Sequence, residues 1–208
     1  MTKRLMGNKG LGWLIAAAVM VGLVSGCGST RVDRVEVDET IDLSGRWNDT
    51  DSRLVSEEMV RDVMTRRWLG DHRAENRGRQ PSVIVGTVRN RSDEHINTQT
   101  FVKDLERALV NSGEVELVAS SGERQEIRAE RQDQATHASE ETAKEEGMEI
   151  GADYMLQGGI NTITDRVEGK EVKYYQVNLE LIQIQTHKKV WLGEKKIKKM
   201  VEKKKFWF

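Results

Sequence analysis

The sequence predicts an α/β domain: a mixed sheet of four to five strands flanked by helices. Three observations lead there. The chain alternates helical and extended periods from Asp51 to Ala119, its last third reads as three period-two strands, and Glu168-Gly169 falls between two of those strands as a hairpin turn. Two strands joined by a helix should run parallel, whereas a three-stranded meander is antiparallel.

In chain order, Asp51 or Ser52 can cap a helix in which Val55, Met59, Val63 and Trp68 recur at three-to-four spacing. Gly70 to Gln80 is highly charged and reads as a loop. Pro81 opens a strand, Ser82 to Val88, because a strand start loses no ladder donor to proline. Asn90 to Asn97 reads as a polar loop, and Thr98 or Thr100 then caps a helix presenting Phe101, Leu105, Ala108 and Leu109 on one face. Gly113 ends that helix.

Glu114 to Ala119 is a second short strand, with Val115, Leu117 and Ala119 alternating against charged neighbours. Gly122 to Gln134 is polar nearly all round and reads as an exposed helix. Ser139 caps another helix reaching Ile150. The meander follows: Ala152 to Thr164, then Val172 to Gln185 with Tyr175, Val177, Leu179 and Leu181 on one face, then the strand around Trp191.

The N-terminus carries a different signal. Lys3, Arg4 and Lys9 precede an apolar run, Leu11 to Val24, that closes in Val24-Ser25-Gly26-Cys27. Basic, apolar, small residue, cysteine is the order of an export signal cleaved before Cys. It resembles a bacterial lipobox, which implies lipidation of Cys27 after removal of residues 1–26. The competing reading is an uncleaved anchor, but the run is shorter than the ~20 residues that span a bilayer. Cys27 is the only cysteine, so no disulfide supports the domain. Residues 27–50 are polar, without proline or an apolar period, and read as a short flexible tether. It would reach at most roughly 80 Å at about 3.3–3.6 Å per residue. The domain is then 51–208.

Formal net charge is -1, and -4 once residues 1–26, with three basic and no acidic side chains, are removed. Lys188 to Lys205 carries nine lysines. They either blunt the edge of a terminal strand or attract an anionic surface. Phe206-Trp207-Phe208 follows directly, suited either to an interface between water and lipid or to folding back on the domain. Nucleic acid is not the expected partner of an exported chain.

Catalytic signatures are missing. His72, His95, His137 and His187 fall in no metal-ligand spacing, and neither a Gly-x-Ser-x-Gly elbow nor a phosphate-cradling loop occurs. Glu140-Glu141 and Glu145-Glu146 read as solvated helix faces. The expectation is a protein that is not an enzyme, with no cofactor and no metal. Gly158-Gly159 inside a strand indicates a bulge or close packing against a helix.

A succession of motifs points further. Val83-Ile84-Val85 runs through Val88, Asn90-Arg91-Ser92 and Asn97, followed by Leu105-x-x-Ala108-Leu109, Ser112-Gly113 and Leu117-Val118. Gly151-Ala152-Asp153-Tyr154-Met155-Leu156, Tyr175 to Leu181, Thr186 and Val190-Trp191-x-Gly193 complete it. From Pro81 to Lys199, together with the lipobox, this resembles the LpoB-like family of outer-membrane lipoproteins. The resemblance implies a domain akin to the N-terminal domain of TolB. It also implies an outer-membrane lipid anchor facing the periplasm, with Gly28 fitting that sorting, and a class A penicillin-binding protein as partner, stimulated in peptidoglycan synthesis. Well-studied members have long proline-rich tethers, which this chain lacks. The alternative is therefore a structural or assembly lipoprotein serving another envelope complex. The candidate partner-binding residues are Arg89, Asn90 and Arg91, expected in a loop, and Tyr174, with the edge of the strand that contains it.

Overall fold

Asn48 starts the first helix of the domain. Its side chain accepts from the Asp51 backbone N–H at 3.0 Å while the Asp51 carboxylate accepts from the Asn48 backbone N–H at 3.0 Å, a reciprocal capping box. The computed structural model describes residues 33–36, 39–41, 43–137 and 149–202. Contacts divide the chain after Glu39. In the first unit the described residues have no regular structure, and the Glu39 N–H donates to the Glu36 carbonyl at 3.2 Å. Cys27, the apolar run before it, most of the helix expected over Ser139–Ile150, and Phe206-Trp207-Phe208 lie outside the described residues.

The second unit holds, among its described residues, four helices and five strands. They are α1 (Asp49–Met64), α2 (Arg67–Glu75), β1 (Ser82–Arg91), α3 (Thr98–Ser112), β2 (Glu116–Leu117), α4 (Ser121–His137), β3 (Tyr154–Val167), β4 (Lys170–Gln183) and β5 (Lys189–Glu202). The sheet order is β2-β1-β3-β4-β5, with β1 parallel to both β2 and β3 and the last three strands antiparallel. This is the expected α/β class with a mixed sheet.

Several expectations need correction. The caps are Asn48 and Asn97, because asparagine side chains just ahead of each run reach the free N–H groups first. Gly70 does not open a loop. Arg67–Glu75 is helical, and its buried side chains Trp68, Leu69 and His72 supply the packing that its charged composition conceals. β1 continues through Arg91, so Arg89, Asn90 and Arg91 end a strand instead of forming a loop. β2 is reduced to two residues. The polar stretch expected to be a tether through Thr50 is packed from Gly45 onward. There the Trp47 ring stands edge-on to Phe101 and Tyr175, at centroid distances of 6.0 and 5.7 Å.

The core lies between one face of the sheet and α1, α2 and α3. Phe101, Leu105 and Leu109 of α3 meet Tyr175, Val177, Leu179 and Leu181 of β4, Leu156 and Ile160 of β3, and Val55 and Val63 of α1. All are essentially inaccessible to solvent. α4 contributes no buried residue, in keeping with its polar circumference. The β3–β4 turn is Glu168-Gly169, both at positive φ (41° and 83°), the twist that a two-residue hairpin requires.

Candidate functional site

Opposite the helices, the sheet presents a second face whose residues follow from strand register. Arg89, Gly159, Asn178 and Glu194 form one row across β1, β3, β4 and β5. Arg91, Asn161, Gln176 and Lys196 form the next, and Ile163, Tyr174 and Lys198 a third. A bulge sets this arrangement: two residues of β1, Gly86 and Thr87, oppose Gln157 of β3 between the pairs Val85–Leu156 and Val88–Gly158.

The result is an open trough of about 390 Å³ with Arg89, Arg91, Asn161, Asn178 and Glu194 on its walls and Gly158-Gly159 in its lining. Glycine is required at position 158, where a Cβ would sit 2.0 Å from the Asn178 carbonyl oxygen. Position 159 is similarly tight, at 2.9 Å from the Arg89 carbonyl oxygen. The glycine pair thus records close approach of neighbouring strands beside a bulge, and not packing against a helix.

Charge on this face is unevenly matched. Glu180 pairs with Lys189 at 2.5 Å, which, with a bond from Gln157, holds its carboxyl below the ordinary range. Glu194 pairs with Lys196 at 2.6 Å, and that bond, more than nearby Tyr174, raises the lysine. Neither Arg89 nor Arg91 makes an ion pair among the described residues, and both are exposed. Nearby large apolar side chains are exposed as well: Ile163 at 67%, Leu192 at 69% and Met200 at 69%.

Of the four candidates, Arg89, Arg91 and Tyr174 therefore share one surface. Asn90 does not join them. Its amide donates to the Glu94 carbonyl at 2.7 Å and its Oδ1 accepts from the Ser92 N–H at 2.9 Å, a turn-closing role. The strand containing Tyr174 offers no free edge, since β4 is paired on both sides, by β3 and β5. Residues overlooked in the sequence are Asn161, Gln176 and Glu194. Their signal was available in the polar positions alternating with Val177 and Leu179 on β4 and with Ile160 on β3.

Behind the arginine pair lies a buried polar hub. Glu94 bonds the Lys173 ammonium, lies 2.9 Å from the Tyr175 hydroxyl and accepts from the Trp47 N–H at 3.2 Å. Burial first, and the Glu94 bond second, push the Tyr175 hydroxyl far above its ordinary pKa. Asp93 is held by Thr162 at 2.5 Å and Thr164 at 3.1 Å, so the segment following Arg91 is fixed at both acidic residues. Among the described residues no group of three or more His, Cys, Asp or Glu could hold a metal, and no helix is long and apolar enough to cross a membrane.

The model of the family described as peptidoglycan-synthase activator LpoB matches residues 51–197. The chain belongs to the LpoB family. Among solved structures, the LpoB C-terminal domain from Escherichia coli is similar at 18% identity and a TM-score of 0.42, covering 71% of this chain and 98% of its own. The LpoB domain from Salmonella enterica is similar at 17% and 0.40 over the same shares. Lipoprotein GNA1162 from Neisseria meningitidis follows at 16% and 0.37, over 58% of this chain and 83% of its own. No curated protein matches the chain. The LpoB family is described as one of activators of peptidoglycan synthases.

Proposed function

We propose that the chain is an outer-membrane lipoprotein, exported by residues 1–26 and lipidated at Cys27, whose domain binds a class A penicillin-binding protein in the periplasm and stimulates its peptidoglycan synthesis. The observation that carries this reading is the family match over 51–197, together with an open sheet face bearing Arg89, Arg91 and Tyr174. The protein works by docking and performs no chemistry of its own. A specific contact of this kind buries about 800 Å² per partner around a few anchors. Exposed Ile163, Leu192 and Met200 beside cationic side chains supply an apolar and charged surface of that type.

The packing of Gly45 to Asn48 favours a second reading. It leaves about 18 residues between Cys27 and the domain, a reach of roughly 60 Å at full extension. A scaffold for an outer-membrane-proximal complex fits so short a span. The deciding experiment adds the soluble Cys27→Ser form to a purified class A synthase and follows polymerisation of lipid-linked precursor. A rise in rate supports activation. An unchanged rate, with capture of other envelope proteins in a pull-down, assigns the scaffold role.

A further inference from the structure

We propose that the trough beside β1 receives an extended, acidic segment of the partner protein, carrying carboxylates at alternate positions. The inference rests on the activator reading above and specifies the chemistry of the contact.

The argument starts from spacing. Arg89 and Arg91 pair with Gly159 and Asn161, so both side chains rise from the same face, two residues apart. Two residues of strand span about 6.6 Å, the repeat at which any extended chain presents side chains to one side. Carboxylates two residues apart on an extended segment therefore match the two guanidinium groups in register. Adjacent carboxylates, pointing to opposite sides, do not.

Charge and shape agree. Both guanidiniums are unpaired among the described residues, while the carboxylates on the opposite wall, Glu180 and Glu194, are already neutralised by Lys189 and Lys196. An anionic ligand thus meets two free cations and no free anion of that wall. Arg89 lines the open trough, where its guanidinium can take a carboxylate in the two-pronged geometry that arginine favours. Asn161 stands in the row of Arg91 and lines the trough, within which it adds an amide donor. The hub behind the pair, with Asp93 held by Thr162 and Glu94 by Lys173, fixes the end of β1 and lowers the ordering cost of binding.

The test uses the detergent-solubilised full chain and two fluorescent peptides of identical composition and charge. One carries glutamates at alternate positions separated by threonine or valine, and the other carries the same glutamates in adjacent pairs. The expected result is severalfold tighter binding of the alternating peptide, abolished by Arg89→Ala or Arg91→Ala. The same substitutions should weaken a class A synthase by about tenfold, with a reduced salt dependence. Retained thermal melting of both variants shows that folding is intact. Equal affinity for the two peptides, unchanged synthase affinity in the variants, or binding only to anionic vesicles overturns the proposal. Should the wild type bind the alternating peptide yet no class A synthase, the activator reading falls while the trough assignment stands.

Discussion

The hydroxyl of Tyr175, in the middle of the sheet, lies 3.0 Å from the carbonyl of Gly45, 130 residues earlier in the chain. A buried phenol thus receives the segment that leads into the domain, and Val201 packs against the same glycine. Tyr175→Phe keeps the ring but removes the link to both Gly45 and Glu94. The expected loss is about 1–3 kcal/mol of unfolding free energy, measured by urea denaturation.

Glu94 and Lys173 form an ion pair with both side chains 9% accessible. Removing one partner leaves the other charge in a poorly solvated site. Lys173→Met or Glu94→Gln alone should cost about 3–5 kcal/mol, whereas the double substitution should cost less than either single one. A double-mutant cycle in denaturant gives that coupling directly, and additive losses would refute it.

His72 is buried on α2, 3.1 Å from the Tyr154 hydroxyl and 3.9 Å from Asp153. Burial lowers its pKa below the ordinary 6.5. Asp153 and Glu75 pull upward and Arg79 and Arg73 downward. The unfolded chain therefore takes up this proton at higher pH than the folded one. Stability linked to His72 is fully present above about pH 6.5 and declines as pH falls below that value. His72→Gln should flatten the change in unfolding free energy between pH 7.5 and 5.5. An unaltered slope would assign the change to other groups.

Gly158 and Gly86 offer a contrast in the same sheet. A Cβ at 158 meets the Asn178 carbonyl at 2.0 Å, and backbone cannot yield without parting β3 from β4. A Cβ at 86 meets the Met155 sulfur at 3.0 Å, the movable part of a flexible side chain. Gly158→Ala should lower stability by about 3 kcal/mol or more, and Gly86→Ala by under about 1 kcal/mol, read from thermal and chemical melts.

What was legible in the residues was periodicity. Tyr175, Val177, Leu179 and Leu181 alternate cleanly, and the Glu168-Gly169 turn fixes the β3–β4 register without tertiary information. α2 was illegible because only Trp68, Leu69 and His72 face inward, and a histidine among charges gives no apolar stripe. The end of β1 misled for a similar reason. Arg89 and Arg91 face solvent and Asn90 closes a turn, so strand geometry there comes from pairing with Gly159 to Asn161. At the candidate site, two arginines and a tyrosine could be named, but their common surface depends on the bulge at Gly86-Thr87 and on β4 being interior. The Glu94–Lys173 hub joins residues 79 apart and left no local trace. Trp47, a large aromatic inside a polar stretch, was the one hint that this stretch is packed.

The attachment of Gly45 to Tyr175 and Val201 also decides how the domain bears load. Under the proposed lipid anchoring, tension from the outer membrane enters at the sheet interior and the far end of β5, where Lys199 also grips the Arg46 carbonyl at 3.2 Å. Force entering at Gly45 is met by β4 and β5 together, through Tyr175 and Val201.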